Sequence, residues 1–195
     1  MVKILSVLLV RMEDVCVYAD EEERTAVFEY LDSLTVEYHK EYQRFGQTVK
    51  VPRGQASFTL SPDVHYNYKV SGGSPPNTVM CEKLKEMTAR VNQKLGTNFN
   101  TILLNKYKNG DDCIGYHRDR ETGWAKGTGF ATLCFGAERD FLIKHEASGV
   151  VTSVLHRDGH VIHLPWPMNS EHLHSVPKRK KVHDCRISLT FREIV

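Results

Sequence analysis

Disulfide frameworks, membrane spans and a strong net charge are all missing from this sequence, and each absence narrows what the chain does. Its five cysteines, Cys16, Cys81, Cys113, Cys134 and Cys185, are odd in number, and no two are spaced as Cys-x-x-Cys. That argues against a disulfide framework and a zinc ribbon, and points to a reducing compartment with small buried thiols. The apolar run near the start, Ile4 to Val10, is seven residues long and is followed by Arg11, Glu13 and Asp14. It is too short to span a bilayer and lacks the cleavage site of a secretory leader. A strand is expected there, in a protein that is intracellular (nuclear or cytoplasmic), not secreted, and without membrane contact. Internal repeats and low-complexity segments are absent too.

Charge of one sign is also lacking: 26 basic residues face 24 acidic ones, which excludes a histone-like polycation. The balance is uneven along the chain. Residues 1–41 hold 10 acidic and 4 basic residues, whereas residues 174–195 hold 6 basic and 2 acidic ones. A polyanionic partner is therefore expected at the C-terminal end. With 195 residues, 41% of them hydrophobic and 26% charged, the chain has the size and composition of one globular domain. A monomer is the default.

Residues 20–34 read as a helix, with Asp20 as cap, Glu23 as its capping-box partner, and Ala26, Val27, Tyr30, Leu31 and Leu34 at helical spacing. Residues 41–73 are rich in Tyr, Phe, Val and Thr, broken by Gly and Pro, and read as short strands and exposed turns. Residues 77–95 carry the strongest helical stripe, Met80, Leu84, Met87, Val91 and Leu95, closed by Gly96. From residue 101 onward short apolar runs alternate with turn signals, the pattern of a β-sandwich or jelly roll. The expected class is α+β: two N-terminal helices supporting a β core. The N-terminal part, residues 1–100, carries helices and hairpins, and residues 101–195 form the core of one compact domain.

Ten histidines are present, and the tripeptide His-Arg-Asp occurs twice, at 117–119 and at 156–158. On a strand, positions i and i+2 share a face, so either copy could offer an imidazole and a carboxylate to one metal. The second copy runs into Gly159, and Asp-Gly reads as a hairpin turn. Glu171-His172-Leu173-His174 offers two further histidines at i and i+2. A face of two histidines and one carboxylate with open positions suits a non-haem Fe(II) oxygenase. Spacing alone leaves the choice between the copies open, as it does zinc or no metal at all.

Further motifs surround these histidines: Asn105-x-Tyr107, Gly110-Asp111, Ile114-Gly115, His117-x-Asp119, Leu133-x-Phe135-Gly136 and Arg139-Asp140-Phe141. His174-Ser175-x-Pro177 and Arg186-x-Ser188-Leu189-Thr190-Phe191-Arg192 complete the set. In this order they resemble the AlkB-type Fe(II)/2-oxoglutarate dioxygenases, from about residue 44 to the C-terminus. The resemblance implies a double-stranded β-helix, or jelly roll. It also implies an iron site of His117, Asp119 and His174, with 2-oxoglutarate as co-substrate and O2 as oxidant. His156 and His172 have no part in that site. Arg186 is expected to take the distal carboxylate of 2-oxoglutarate, and Arg192 to lie near the metal-bound end. Thr190 sits on their face, and Asn105 and Tyr107 are further contacts. The physical reading agrees. A distal carboxylate calls for a planar guanidinium fork, and Arg186 and Arg192, six residues apart on one strand, point to one face.

Within that family the sequence is most similar to the branch that repairs alkylated bases in duplex DNA. Arg44-Phe45-Gly46 followed by Val51-Pro52-Arg53 matches a hairpin that places an aromatic, here Phe45, into the base stack. Tyr68 and Ser71 match residues around the flipped base, although Val70 stands where the branch has a second aromatic. Glu121 is placed to accept a hydrogen bond from an exocyclic amino group, and Arg120 beside it stands where the branch has an acid. Arg139 and the run Lys178-Arg179-Lys180-Lys181 are expected to meet DNA, with Arg179, Lys180 and Lys181 gripping the strand opposite the lesion. The implied activity is oxidative demethylation of bases such as 1-methyladenine and 3-methylcytosine, flipped out of duplex DNA. The alternatives are the same chemistry on RNA or single strands, and a non-catalytic metal-binding jelly roll.

Overall fold

The computed structural model describes residues 13–38, 41–44, 46–66 and 75–195. Three expectations lie outside the described residues: the strand at 4–10, the aromatic Phe45, and the base-wall residues Tyr68 and Ser71.

The N-terminal half builds two helices and the outer strands. Strand β1 (Glu13–Cys16) leads into α1 (Glu21–Ser33), where the Asp20 carboxylate accepts from the amides of Glu22 and Glu23. The Glu23 side chain does not close a capping box; it pairs with Arg90 instead. A hairpin of β2 (Glu41–Arg44) and β3 (Gln47–Lys50) turns at Gly46, and β4 (Gly54–Thr59) follows. The second helix, α2 (Glu82–Leu95), starts five residues later than its apolar stripe predicts. Residues Asn77–Val79 form β5, paired in parallel with β4. Thr78 and Val79 are β-branched and fit a strand, and tertiary pairing overrides the helical spacing of Met80. Gly96 closes α2 in the left-handed conformation.

The C-terminal half supplies β6 (Thr101–Tyr107), β7 (Ile114–His117), β8 (Phe130–Gly136), β9 (Arg139–His145), β10 (Val151–His156) and β11 (His160–Leu164). A four-residue helix α3 (Met168–Glu171), β12 (His172–Val176) and β13 (Arg186–Arg192) complete it. A seven-stranded sheet runs β1-β11-β8-β13-β6-β4-β5, and a four-stranded sheet runs β10-β9-β12-β7. Because β1 pairs with β11 and β4 with β6, the larger sheet draws strands from both sides of residue 100.

The larger sheet has two buried faces. One packs on the helices: Ile102 and Leu104 of β6, Leu133 and Phe135 of β8, and Ile187, Leu189 and Phe191 of β13 meet Val27, Leu31, Leu84, Met87 and Val91. Each such side chain contributes roughly 1.5–3 kcal/mol by leaving water. The alternate residues of the same strands, Leu103, Asn105 and Tyr107, Phe130 and Thr132, and Arg186, Ser188, Thr190 and Arg192, line a cleft facing the smaller sheet. The period-two pattern of β13 therefore puts every arginine and hydroxyl on the cleft side and every apolar residue on the helix side.

The Asp158-Gly159 turn joins β10 and β11, which lie in different sheets, so it is a crossing between layers and not a hairpin. Gly159 has φ +75°, and a Cβ there would come within 2.6 Å of the Tyr18 carbonyl oxygen. Only glycine fits this corner without strain.

Candidate active site

Strand pairing brings the three metal-ligand candidates together. His174 on β12 lies directly opposite His117 on β7 in an antiparallel register, and Asp119 follows two residues after His117. The Nε2 atoms of His117 and His174 stand 3.5 Å and 3.8 Å from Asp119 Oδ1. One ligand atom from each residue lies within 4.8 Å of the others. His117 Nδ1 lies 3.0 Å from the Gly115 carbonyl, which fixes the ring as an Nδ1–H donor and turns Nε2 to the cluster. His174 is walled in by Phe141, stacked at 5.5 Å, and Phe130 at 4.9 Å.

The protonation states suit a divalent cation. Burial favours a neutral Asp119, but the Arg192 guanidinium and the two histidines outweigh it and hold the carboxyl well below the usual carboxylate range. Arg192 donates through Nε at 3.1 Å and through Nη2 to Asp119 Oδ2, on the side away from the histidines. His174 is pushed down to about 3 by burial first and by neighbouring His117 second, so it is neutral and keeps its lone pair. Two imidazoles and one carboxylate are the donor set for Fe(II).

Asn169 binds this centre to its rim. Its Oδ1 accepts from the Asp119 amide at 3.0 Å, and its Nδ2 donates to the Asp119 carbonyl at 2.8 Å and to Glu121 Oε1 at 2.9 Å. Asn169 is buried on α3, an element without a sequence signal, and sequence reasoning missed it. Glu121 is exposed, with one carboxylate oxygen set by this contact.

Elsewhere in the cleft, Arg186 lies over the Tyr107 ring at 5.1 Å. It is 1% exposed, and its Nε and Nη1 have no hydrogen-bond partner. Among the described residues no carboxylate pairs with it. A buried guanidinium with unused donors is costly unless an anion joins it, which fits a ligand carboxylate. Asn105 Oδ1 already accepts from Arg53 Nε (2.8 Å) and Gln55 Nε2 (3.0 Å). The amide is thereby oriented, and its Nδ2 is the group left for a ligand. Thr190 lines the same cleft.

Two residues expected on the DNA face lie in the interior. Arg139 is 1% exposed, and its guanidinium donates to the carbonyls of Asn109, Asp112 and Pro177. It ties the 109–112 loop to the start of the basic loop and offers nothing to a phosphate. Arg53 is 7% exposed and lines the cleft beside Asn105. Gly46, Lys180 and Lys181 are exposed, while Arg179 is exposed but donates to Asp140 Oδ2 at 2.7 Å. The basic loop is held against Gly110, whose amide donates to Val182 and whose carbonyl accepts from Arg179. A Cβ at Gly110 would fall 1.7 Å from the Arg179 carbonyl oxygen, so this contact requires glycine. No described helix is long and apolar enough to cross a membrane.

Comparison with known proteins bears on the same residues. Residues 14–192 match the 2OG-Fe(II) oxygenase superfamily. The cattle (Bos taurus) DNA oxidative demethylase ALKBH2 is 36% identical over 161 residues, covering 78% of this chain and 57% of that one. The human (Homo sapiens) protein of the same name is 35% identical, covering 78% and 60%. The chain thus spans less than two thirds of the length of these relatives. Among solved structures, OsALKBH1 superposes with a TM-score of 0.63 at 14% identity, over 93% of this chain and 97% of that one. A Pseudomonas putida prolyl-4-hydroxylase superposes with a TM-score of 0.55 at 16% identity, over 94% and 93%. At those identities the two structures establish the fold alone, a double-stranded β-helix.

Proposed function

The chain belongs to the 2OG-Fe(II) oxygenase superfamily, and we propose that it is a DNA oxidative demethylase that removes N-methyl groups from bases such as 1-methyladenine and 3-methylcytosine, preferably in duplex DNA. The observation that carries the proposal is one cleft that joins a His117–Asp119–His174 cluster to a buried arginine with unused donors. The likeness to two proteins named DNA oxidative demethylase supports the substrate class.

In this reading His117, Asp119 and His174 hold Fe(II), while Arg186 takes the distal carboxylate of 2-oxoglutarate. Asn105, Tyr107, Thr190 and Arg192 complete the co-substrate's surroundings. Bound together, Fe(II), 2-oxoglutarate and O2 supply the oxidising power to hydroxylate an N-methyl carbon, and the unstable product releases formaldehyde. Arg192 keeps Asp119 ionised, and Asn169 fixes the Asp119 backbone relative to Glu121. Glu121 accepts from the exocyclic amino group of adenine or cytosine, which thymine lacks. The base reaches the site by leaving the stack, at a cost of a few kcal/mol that is smallest where alkylation already blocks pairing. Stacking on Tyr68, a contact from Ser71 and insertion of Phe45 offset that cost, at roughly 1–3 kcal/mol per stacked base. Lys180 and Lys181, with Arg179 beside them, meet phosphates and give affinity without sequence preference.

The test is mass spectrometry of a 1-methyladenine oligonucleotide as single strand, as duplex and as RNA, with Fe(II) and 2-oxoglutarate and with each omitted. Demethylation that needs both and is at least as fast on duplex as on single strand supports the proposal. Faster turnover of RNA, or succinate formation without demethylation, moves the substrate elsewhere.

A further inference from the structure

His156 lies outside the metal cluster and outside every contact expected of the cleft, yet it is 0% exposed and has both ring nitrogens engaged. Its Nε2 lies 3.0 Å from the His160 carbonyl oxygen, an acceptor only, so Nε2 carries the proton. Its Nδ1 is therefore a lone pair, and it faces Arg186 Nη2 at 3.0 Å. The Phe141 ring stands edge-on at 6.1 Å. Burial, and then the nearby Arg186 charge, push the imidazole far below its ordinary range, which keeps it neutral.

We propose that His156 is a positioning residue for 2-oxoglutarate: it holds the Arg186 guanidinium by one Nη2–H without neutralising it, leaving the charge and the remaining N–H donors for the co-substrate's distal carboxylate. The inference rests on the superfamily's co-substrate and not on the DNA reading. The physical case lies in the type of partner. A guanidinium that must bind an incoming anion needs a fixed orientation. An aspartate or glutamate at this position would fix it but cancel its charge, and the ligand would have to compete. Water would accept the bond but leave the fork mobile. A neutral imidazole locked in one tautomer by a backbone carbonyl accepts the bond, adds no charge and does not move. Arg139, whose own charge is felt at Arg186 and which is likewise paired only with carbonyls, adds to the positive potential there.

Two nearly isosteric variants separate this role from packing. In His156→Asn the amide oxygen falls where Nδ1 was and can still accept from Arg186. In His156→Gln the amide falls where Nε2 was, keeping the His160 contact and losing the Arg186 one. The measurement is calorimetric binding of 2-oxoglutarate to the Mn(II)-loaded protein, with Mn(II) affinity and thermal unfolding as controls. The expected result is roughly tenfold or greater weakening in the Gln variant, the scale of a hydrogen bond to a charged group. The Asn variant should stay within about threefold of wild type, with Mn(II) affinity alike in all three proteins. Equal 2-oxoglutarate affinity in the Gln variant and wild type, or equal weakening in both variants, overturns the proposal. A wild-type protein that takes Mn(II) but not 2-oxoglutarate overturns the co-substrate reading beneath it.

Discussion

The tripeptide His-Arg-Asp stands at 117–119 and again at 156–158, and the two copies end in opposite environments. In the first, His117 and Asp119 converge, because β12 lays His174 opposite His117 and Arg192 reaches Asp119 from β13. In the second, the chain turns between sheets, so the side chains part. His156 points inward to Arg186, while Asp158 faces back to accept from Arg24 and from the Gly136 amide. The same three residues make a candidate metal site where two other strands supply partners, and a brace with a turn where they do not. What separates them is long-range pairing, which lies outside the tripeptide.

The sharpest way to break this comparison is to remove one carboxylate from each copy. Asp119→Ala is expected to lower demethylation by at least about 10³-fold and to abolish Mn(II) binding. It also removes the carboxylate that the buried Arg192 guanidinium pairs with, a loss of roughly 3–5 kcal/mol in stability. Asp158→Ala should leave turnover and Mn(II) affinity unchanged and cost about 1 kcal/mol in chemical denaturation, since its pair with Arg24 is half-exposed.

Acid sharpens the contrast next. His174, held at about 3, and His156, held well below its ordinary value, are both neutral when folded and gain protons on unfolding. The unfolded state binds more protons below about pH 6.5, so stability is intact above that value and lost as pH falls toward the folded values. Metal-free protein should lose about 2 kcal/mol per histidine between about pH 6.5 and pH 5. Saturating Mn(II) should raise stability across this range without deepening either histidine's share, because both lone pairs are already free of protons in the folded protein. Thermal melts against pH with and without Mn(II) check this.

Smaller effects are expected away from both copies. Phe45→Ala should reduce turnover about tenfold on duplex and little on single strands, the scale of one lost stacking contact. Lys180→Ala and Lys181→Ala should each lower the slope of log affinity against log salt by about one unit, without changing lesion preference. Fluorescence titrations of duplex at several salt concentrations measure it.

Much of the site was legible because it follows a period of two. Arg186, Ser188, Thr190 and Arg192 share the cleft face because Ile187, Leu189 and Phe191 need the other one, and Asn105 and Tyr107 obey the same rule. Positions that depend on what crosses a strand were not legible. Arg139 reads as a surface cation, yet three carbonyls from two loops take it inside. Arg53 reads as part of the DNA hairpin but turns inward to Asn105. Asn169 sits in a single helical turn too short to leave a pattern. The start of α2 was misplaced because the partner of Asn77–Val79 is β4, some 20 residues earlier in the chain. His156 carried a signal, its repeat of the His117 tripeptide, but that signal spoke of a metal and not of an arginine.

The central claim is that the first copy, with His174, is the iron site and the second is not. Anaerobic addition of Fe(II) and 2-oxoglutarate to wild type, Asp119→Ala and Asp158→Ala tests it through the visible charge-transfer band of the chelate. The account predicts the band in wild type and Asp158→Ala and none in Asp119→Ala. A band that survives in Asp119→Ala, or disappears in a folded Asp158→Ala, would contradict it.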